Sequence, residues 1–101
     1  MMQRYCGFLL FFSSICFAGG KETYQTYCTV CHASGLAAAP KFQDVKDWGP
    51  RCQSKHLQGL VRSAIKGLNA MPANGTCMSC SEEDIKQAIL YMVPKDESIC
   101  H

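Results

Sequence analysis

From Lys21 onward, apolar residues recur mostly at three- and four-residue steps, the period of a helix with one buried face. The clearest stripe is Leu57, Leu60, Val61, Ala64, Ile65 and Leu68, with Lys55, Gln58, Arg62 and Lys66 facing away and Gly67 helping to end it. A second helix is announced by Ser81, whose hydroxyl can cap free amides, followed by Glu82, Glu83 and Asp84, which suit the positive end of a helix. Asp84 completes a variant of the capping box, Ile85, Ala88, Ile89 and Met92 form the apolar face, and Pro94 stops the run. A third helix spans about Lys21 to Cys31 through Tyr24, Tyr27, Cys28 and Cys31. Leu36 to Phe42 reads as an apolar loop, because Pro40 biases Ala39 away from helix. A short helix is expected at Asp44 to Asp47, ended by a turn at Trp48-Gly49-Pro50. The pattern predicts an all-α chain without repeats.

The N-terminus obeys a different rule. After the basic start at Arg4, Tyr5 to Phe17 carries no charge, yet it is shorter than the roughly 20 apolar residues a membrane span needs. It fits the apolar region of a secretory signal peptide, with Ala18, Gly19 and Gly20 as small residues around a cleavage site. Residues 1–20 are therefore expected to be a signal peptide, with no membrane anchor after cleavage, and residues 21–101 the functional domain. The export signal changes how the cysteines are read, since disulfides persist in oxidising compartments. Removal of Cys6 and Cys16 leaves Cys28, Cys31, Cys52, Cys77, Cys80 and Cys100.

What remains is one small domain, near the size at which a bare apolar core is marginal and a staple or cofactor is usual. A formal net charge of +2 gives no strong basic excess of the kind nucleic-acid binding uses.

Cys28-Thr29-Val30-Cys31-His32 supplies the cofactor. CxxCH is the attachment signature of a c-type haem: two thiols on one helical turn can each bond a vinyl group, and the adjacent histidine ligates the iron. The simpler alternatives are a chance coincidence or a redox CxxC. For the sixth ligand the best candidate is Met71, in the polar loop Gly67-Leu68-Asn69-Ala70-Met71-Pro72-Ala73-Asn74-Gly75, where a methionine gains little from core packing and Pro72 stiffens the backbone. A thioether ligand raises the reduction potential relative to a second histidine. Met78 lies between two cysteines, Met92 belongs to a packing stripe, and His56 sits near the start of an amphipathic helix.

Cys77 and Cys80 form a second CxxC. Together with the first pair they could make a four-thiolate metal site, or alone a thiol oxidoreductase centre. The export signal, the histidine directly after Cys31 and the capped helix after Cys80 favour a local disulfide between Cys77 and Cys80 instead. Cys52 with Cys100 is then the simplest remaining pairing, although four non-haem cysteines allow three arrangements.

The ordered set of Cys28-xx-Cys31-His32, Ala39-Pro40-Lys41-Phe42, Trp48 with Arg51, Asn69-Ala70-Met71-Pro72, Cys77-Met78-Ser79-Cys80-Ser81 and the closing Ala88-Ile89-Leu90-Tyr91-Met92-Val93 resembles the class I cytochromes c, most closely the cytochrome c5 group. The resemblance covers about Lys21 to Val93. It implies an all-α, small cytochrome c fold of three to five short helices wrapped around one covalent haem, with first and last helices crossing. It implies thioethers from Cys28 and Cys31, His32 and Met71 as iron ligands, and a hydrogen bond from the outer nitrogen of His32 to the Pro40 carbonyl. It also implies that Phe42 walls the haem, that Trp48 and Arg51 stand near a propionate, and that Cys77 and Cys80 match the group's disulfide. A Cys52–Cys100 bridge departs from the group's pattern.

These residues point to a periplasmic, soluble one-electron carrier cycling Fe(II)/Fe(III) at a His/Met-ligated haem, exchanging electrons transiently with a respiratory reductase, oxidase or similar protein. No nucleophile with its base, paired carboxylates or phosphate loop argues for an enzyme. A ligand-sensing haem protein would need a displaceable Met71, and a subunit of an oxidase or reductase would use the same residues.

Overall fold

A computed structural model describes residues 19–96, 100 and 101, so the expected export segment lies outside the described residues except for its last two positions. Helix α1, Gly19–Thr23, continues into a π-helical turn, Tyr24–Cys28, and then into α2, Thr29–His32. Helix α3 spans Val45–Lys66 and α4 spans Glu82–Met92, with short 3-10 turns at Leu36–Ala38 and Ala73–Thr76. The fold is all-α; extended pairing among the described residues is limited to an isolated bridge between Leu68 and Met71.

The crossing of α1 on α4 organises the molecule. Helix α4 starts as its sequence dictates. Ser81 Oγ accepts the Asp84 amide at 3.0 Å, and the Asp84 carboxylate accepts the Ser81 amide at 2.9 Å. Ile85, Ala88, Ile89 and Met92 are its buried face. At the far end, where helix carbonyls lack partners, Gln43 donates its backbone amide to Met92 O at 2.7 Å and its side-chain amide to Tyr91 O at 3.3 Å. Gly20 makes the crossing close, since a side chain there would collide with the Gln87 carbonyl and reach Ala88 N. The described part of helix α1 thus includes Gly19 and Gly20 as well as Lys21. Tyr24, Phe42 and Tyr91 meet beside the crossing, with ring centroids 5.1, 5.2 and 5.5 Å apart and tilted planes, a favourable aromatic arrangement.

Helix α3 departs from expectation twice. No turn separates Trp48-Gly49-Pro50 from what precedes it; the helix runs through them, capped by Asp44, whose carboxylate accepts the Asp47 amide at 3.1 Å. Pro50 forgoes one ladder bond, but Trp48 holds the turn helical from both sides, its amide on Asp44 O at 2.9 Å and its indole on Lys41 O at 2.8 Å. The break falls instead at His56, whose φ of 59° and ψ of 176° divide the helix in two. That backbone region is almost confined to glycine, and histidine gives no sequence warning of it.

Among the described residues, two disulfides complete the frame. Cys77–Cys80 closes a separation of 3 residues. Cys52–Cys100 spans 48 residues and brings the tail into the core, where neither cysteine has any exposure.

Candidate cofactor cleft

The elements enclose a cleft of about 800 Å³, in the size range of sites that bury a whole small cofactor. The end of α2, the 36–40 loop, α3 and the loop before α4 all reach it. Its back wall includes Leu60, Ala64, Ile89 and Met92, so part of the apolar stripe that reads as plain core in the sequence also faces the cleft.

Cys28, Cys31 and His32 all line this cleft, and both cysteines are unbonded thiols. The π turn contributes to their placement. The Thr29 amide bonds to Tyr24 O, five residues back, and Cys28 Sγ lies 3.9 Å from Thr23 O. Single π turns inside helices often accompany functional positions, and no residue pattern in the sequence marks this one. Burial pushes the Cys28 thiol up to about 11, so at neutral pH it stays protonated in its apolar setting. That is the opposite of the lowered pKa by which a thiol oxidoreductase activates its cysteine.

His32 is buried and oriented by its surroundings. Its Nδ1 donates to Pro40 O at 2.8 Å, which directs Nε2 to the other side of the ring. Trp48 stacks on the imidazole with planes 19° apart and centroids 6.0 Å apart. The segment carrying the acceptor is itself fixed. The Lys41 amide bonds to Asp47 at 3.0 Å, Lys41 Nζ to the same carboxylate oxygen at 2.9 Å, and the Lys41 carbonyl takes the Trp48 indole. These bonds hold the Asp47 carboxyl below the usual carboxylate range, led by the backbone bond, and hold the Lys41 ammonium above its usual value.

Met71 reaches the same cleft from the loop after α3. Reciprocal bonds, Leu68 amide to Met71 O at 3.0 Å and Met71 amide to Leu68 O at 2.9 Å, close a small loop around it. Gly67 permits that closure. Its φ is 91°, and a methyl at this position would stand 3.0 Å from Met71 O and 3.1 Å from Ala73 N.

Pro40, Trp48 and Arg51 also line the cleft, and Arg51 Nη1 donates to Asp47 O at 2.7 Å. Phe42 is placed differently. It belongs to the aromatic cluster with Tyr24 and Tyr91, behind the cleft rather than on its lining, and its amide closes the loop after α2 by donating to His32 O at 2.7 Å. Lys55 and Ser63 line the cleft without having been singled out by sequence, since each sits on the polar side of an ordinary helix pattern. Cys77 and Cys80 are apart from the CxxCH thiols and joined to each other, and among the described residues no three His, Cys, Asp or Glu side chains converge as a metal site.

Residues 17–92 match the family described as "Cytochrome C oxidase, cbb3-type, subunit III". Cytochrome c5 of Azotobacter vinelandii is 44% identical over 71 residues, covering 69% of this chain and 86% of the relative. This chain belongs to the class I cytochromes c, in the c5-like group. A mono-haem ferrocytochrome c of Shewanella putrefaciens shares its fold at a TM-score of 0.67 with 45% identity, over 75% of this cytochrome and 93% of that chain. A structure described as an electron transfer complex of nitrite reductase with cytochrome c superposes at a TM-score of 0.69 with 32% identity, over 84% and 98% of the two chains. The c5-like cytochrome is thus a one-electron carrier and not an enzyme. The donor set fits a covalent c-type haem: two unbonded thiols, an imidazole with Nδ1 already engaged, a thioether and apolar walls share one cleft.

Proposed function

We propose that Cys28 and Cys31 hold the haem covalently and that His32 and Met71 are its axial ligands. The observation that carries this reading is the convergence of all four residues on one cleft, with His32 Nδ1 tied to Pro40 O. When bound, the haem supplies the Fe(II)/Fe(III) couple. The chain's own residues orient and exclude: the Pro40 carbonyl and Trp48 fix the imidazole, Gly67 and the Leu68–Met71 bridge present the thioether, and Leu60, Ala64, Ile89 and Met92 keep water away. Fixed ligands on both sides and a dry wall suit electron transfer with little rearrangement. Arg51 would pair with a propionate, a role supported by its bond to Asp47 O at the cleft wall.

We infer that the cytochrome works in a bacterial periplasm and meets its donor and acceptor transiently. The uncharged run Tyr5 to Phe17 supports export, the relatives are bacterial, and among the described residues no helix is long and apolar enough to cross a membrane. The neighbour described in complex with nitrite reductase supports docking to larger redox proteins. A second reading, a haem module working beside an oxidase, draws on the matched family's description; co-purification with an oxidase would favour it.

An optical spectrum of protein expressed with periplasmic export tests the central proposal. Covalent haem and the weak near-infrared Met–iron band are expected, with the band lost and the haem retained in Met71→Ala. A haem-bearing protein lacking that band would refute ligation by Met71.

A further inference from the structure

A second hollow, of about 530 Å³, opens beside the cofactor cleft, and Lys55, Ser63 and Leu68 line both. Arg62 and Lys66 add two further cations to its wall. The helix break at His56 builds it. Lys55 Nζ donates to Ser63 Oγ at 2.8 Å although the residues are eight apart. On a straight helix eight residues advance about 12 Å, beyond the reach of a lysine stem. Gly59 lets the pieces close up: a methyl there would stand 2.8 Å from Lys55 Cβ and 3.9 Å from Arg62 Nη2, so the lysine stem and the guanidinium converge over a bare backbone.

The charge of this region is one-sided. Between Asp47 and Glu82 the sequence contains no acidic residue, and its basic residues are Arg51, Lys55, Arg62 and Lys66. Among the described residues the ion pairs are those of Lys41 with Asp44 and Asp47, and Lys55, Arg62 and Lys66 line a hollow whose described lining holds no carboxylate. Directly alongside is apolar surface. Leu68 is 46% exposed at the boundary of the two hollows, and Val30 and Leu36 stand exposed at the cleft. Small transient interfaces combine such an apolar contact with complementary charge that steers the encounter.

We propose that the hollow receives carboxylate side chains of an acidic redox partner protein, whose apolar surface covers Leu68 and the mouth of the cleft. This rests on the electron-carrier reading and deepens it by naming the chemistry of the partner. A protein fits better than an anionic membrane because the cations line a concavity with hydroxyls from Ser54 and Ser63, suited to projecting carboxylates rather than to a flat layer of headgroups.

The test uses the haem-loaded protein and poly-L-glutamate as the acidic probe, with amide chemical shifts as readout. Perturbations should cluster over residues 54–68 and fade with added salt. The double variant R62E/K66E should weaken apparent affinity at least about tenfold, while K86E/K95E, which changes net charge equally, should weaken it less than about threefold. R62Q/K66Q, which removes charge without reversing it, should fall between the two. Equal losses in both double variants, or perturbations centred elsewhere, would overturn the proposal. So would tight binding to phosphatidylglycerol vesicles that R62E/K66E abolishes, with no response to the peptide. Voltammetry on the same samples separates the two readings: an intact one-electron couple without a glutamate site sinks only the hollow, whereas an absent couple sinks the carrier.

Discussion

The imidazole of His32 is fixed by a chain of bonds that starts off the cleft lining, at Asp47 and Lys41, and reaches it through Trp48 and Pro40. Asp47 holds the Lys41 backbone and side chain, Trp48 holds the Lys41 carbonyl, and the neighbouring Pro40 carbonyl holds His32 Nδ1. Because the Asp47 carboxyl is lowered on folding, its contribution is present above the ordinary carboxylate value of about 3.9 and is lost as pH falls through the lower folded value. Asp47→Asn should therefore be less stable at pH 7 and show a shallower loss than the parent as pH falls below the ordinary carboxylate value, read from denaturant midpoints across a pH series. His56 offers the opposite case. Its φ of 59° with extended ψ is a conformation that costs roughly 1–3 kcal/mol in a non-glycine residue. His56→Gly should raise Tm by about 4–8 °C, corresponding to a net gain near 1 kcal/mol after the extra entropy of glycine, as measured by thermal unfolding. That Cys28, Cys31, His32 and Met71 share one cleft was legible at this scale, because covalent haem attachment and axial ligation would demand particular residue types at particular spacings. The packing of Phe42 with Tyr24 and Tyr91 is not legible in the same way, since an aromatic residue serves a haem wall and an aromatic cluster equally well.

At the scale of elements, the sequence announced helices best where local chemistry controls them. The Ser81–Asp84 box involves only its own turn, and it forms as expected. Ser81→Ala should cost about 1 kcal/mol in urea unfolding while leaving the haem spectrum unchanged. Helix α3 shows where local reading fails. Gly49 and Pro50 favour a turn, but the tethers on Trp48 outweigh them, and the break moves to His56, where no propensity predicts it. The π turn at Tyr24–Cys28 is equally silent in sequence, because an i to i+5 bond needs no special residue.

Across the whole molecule, the disulfides divide their work by loop length. A bridge spanning 48 residues removes about 4 kcal/mol of loop-closure freedom from the unfolded chain, against roughly 2 kcal/mol for one spanning 3 residues. The double variant C52A/C100A should accordingly lose about twice the stability that C77A/C80A loses, measured by guanidinium unfolding of the haem-loaded protein. Similar losses would mean that packing around the sulfurs, rather than chain closure, sets their value.

The crossing of α1 on α4 also governs access to the cleft. Its two partners lie far apart in sequence, so loop closure opposes their contact and the packing between them must offset that cost. Until α4 docks, the cleft lacks Ile89 and Met92 and the thiols of Cys28 and Cys31 are open on one side. The arrival of α4 thus acts as the latch that closes the cleft over those thiols.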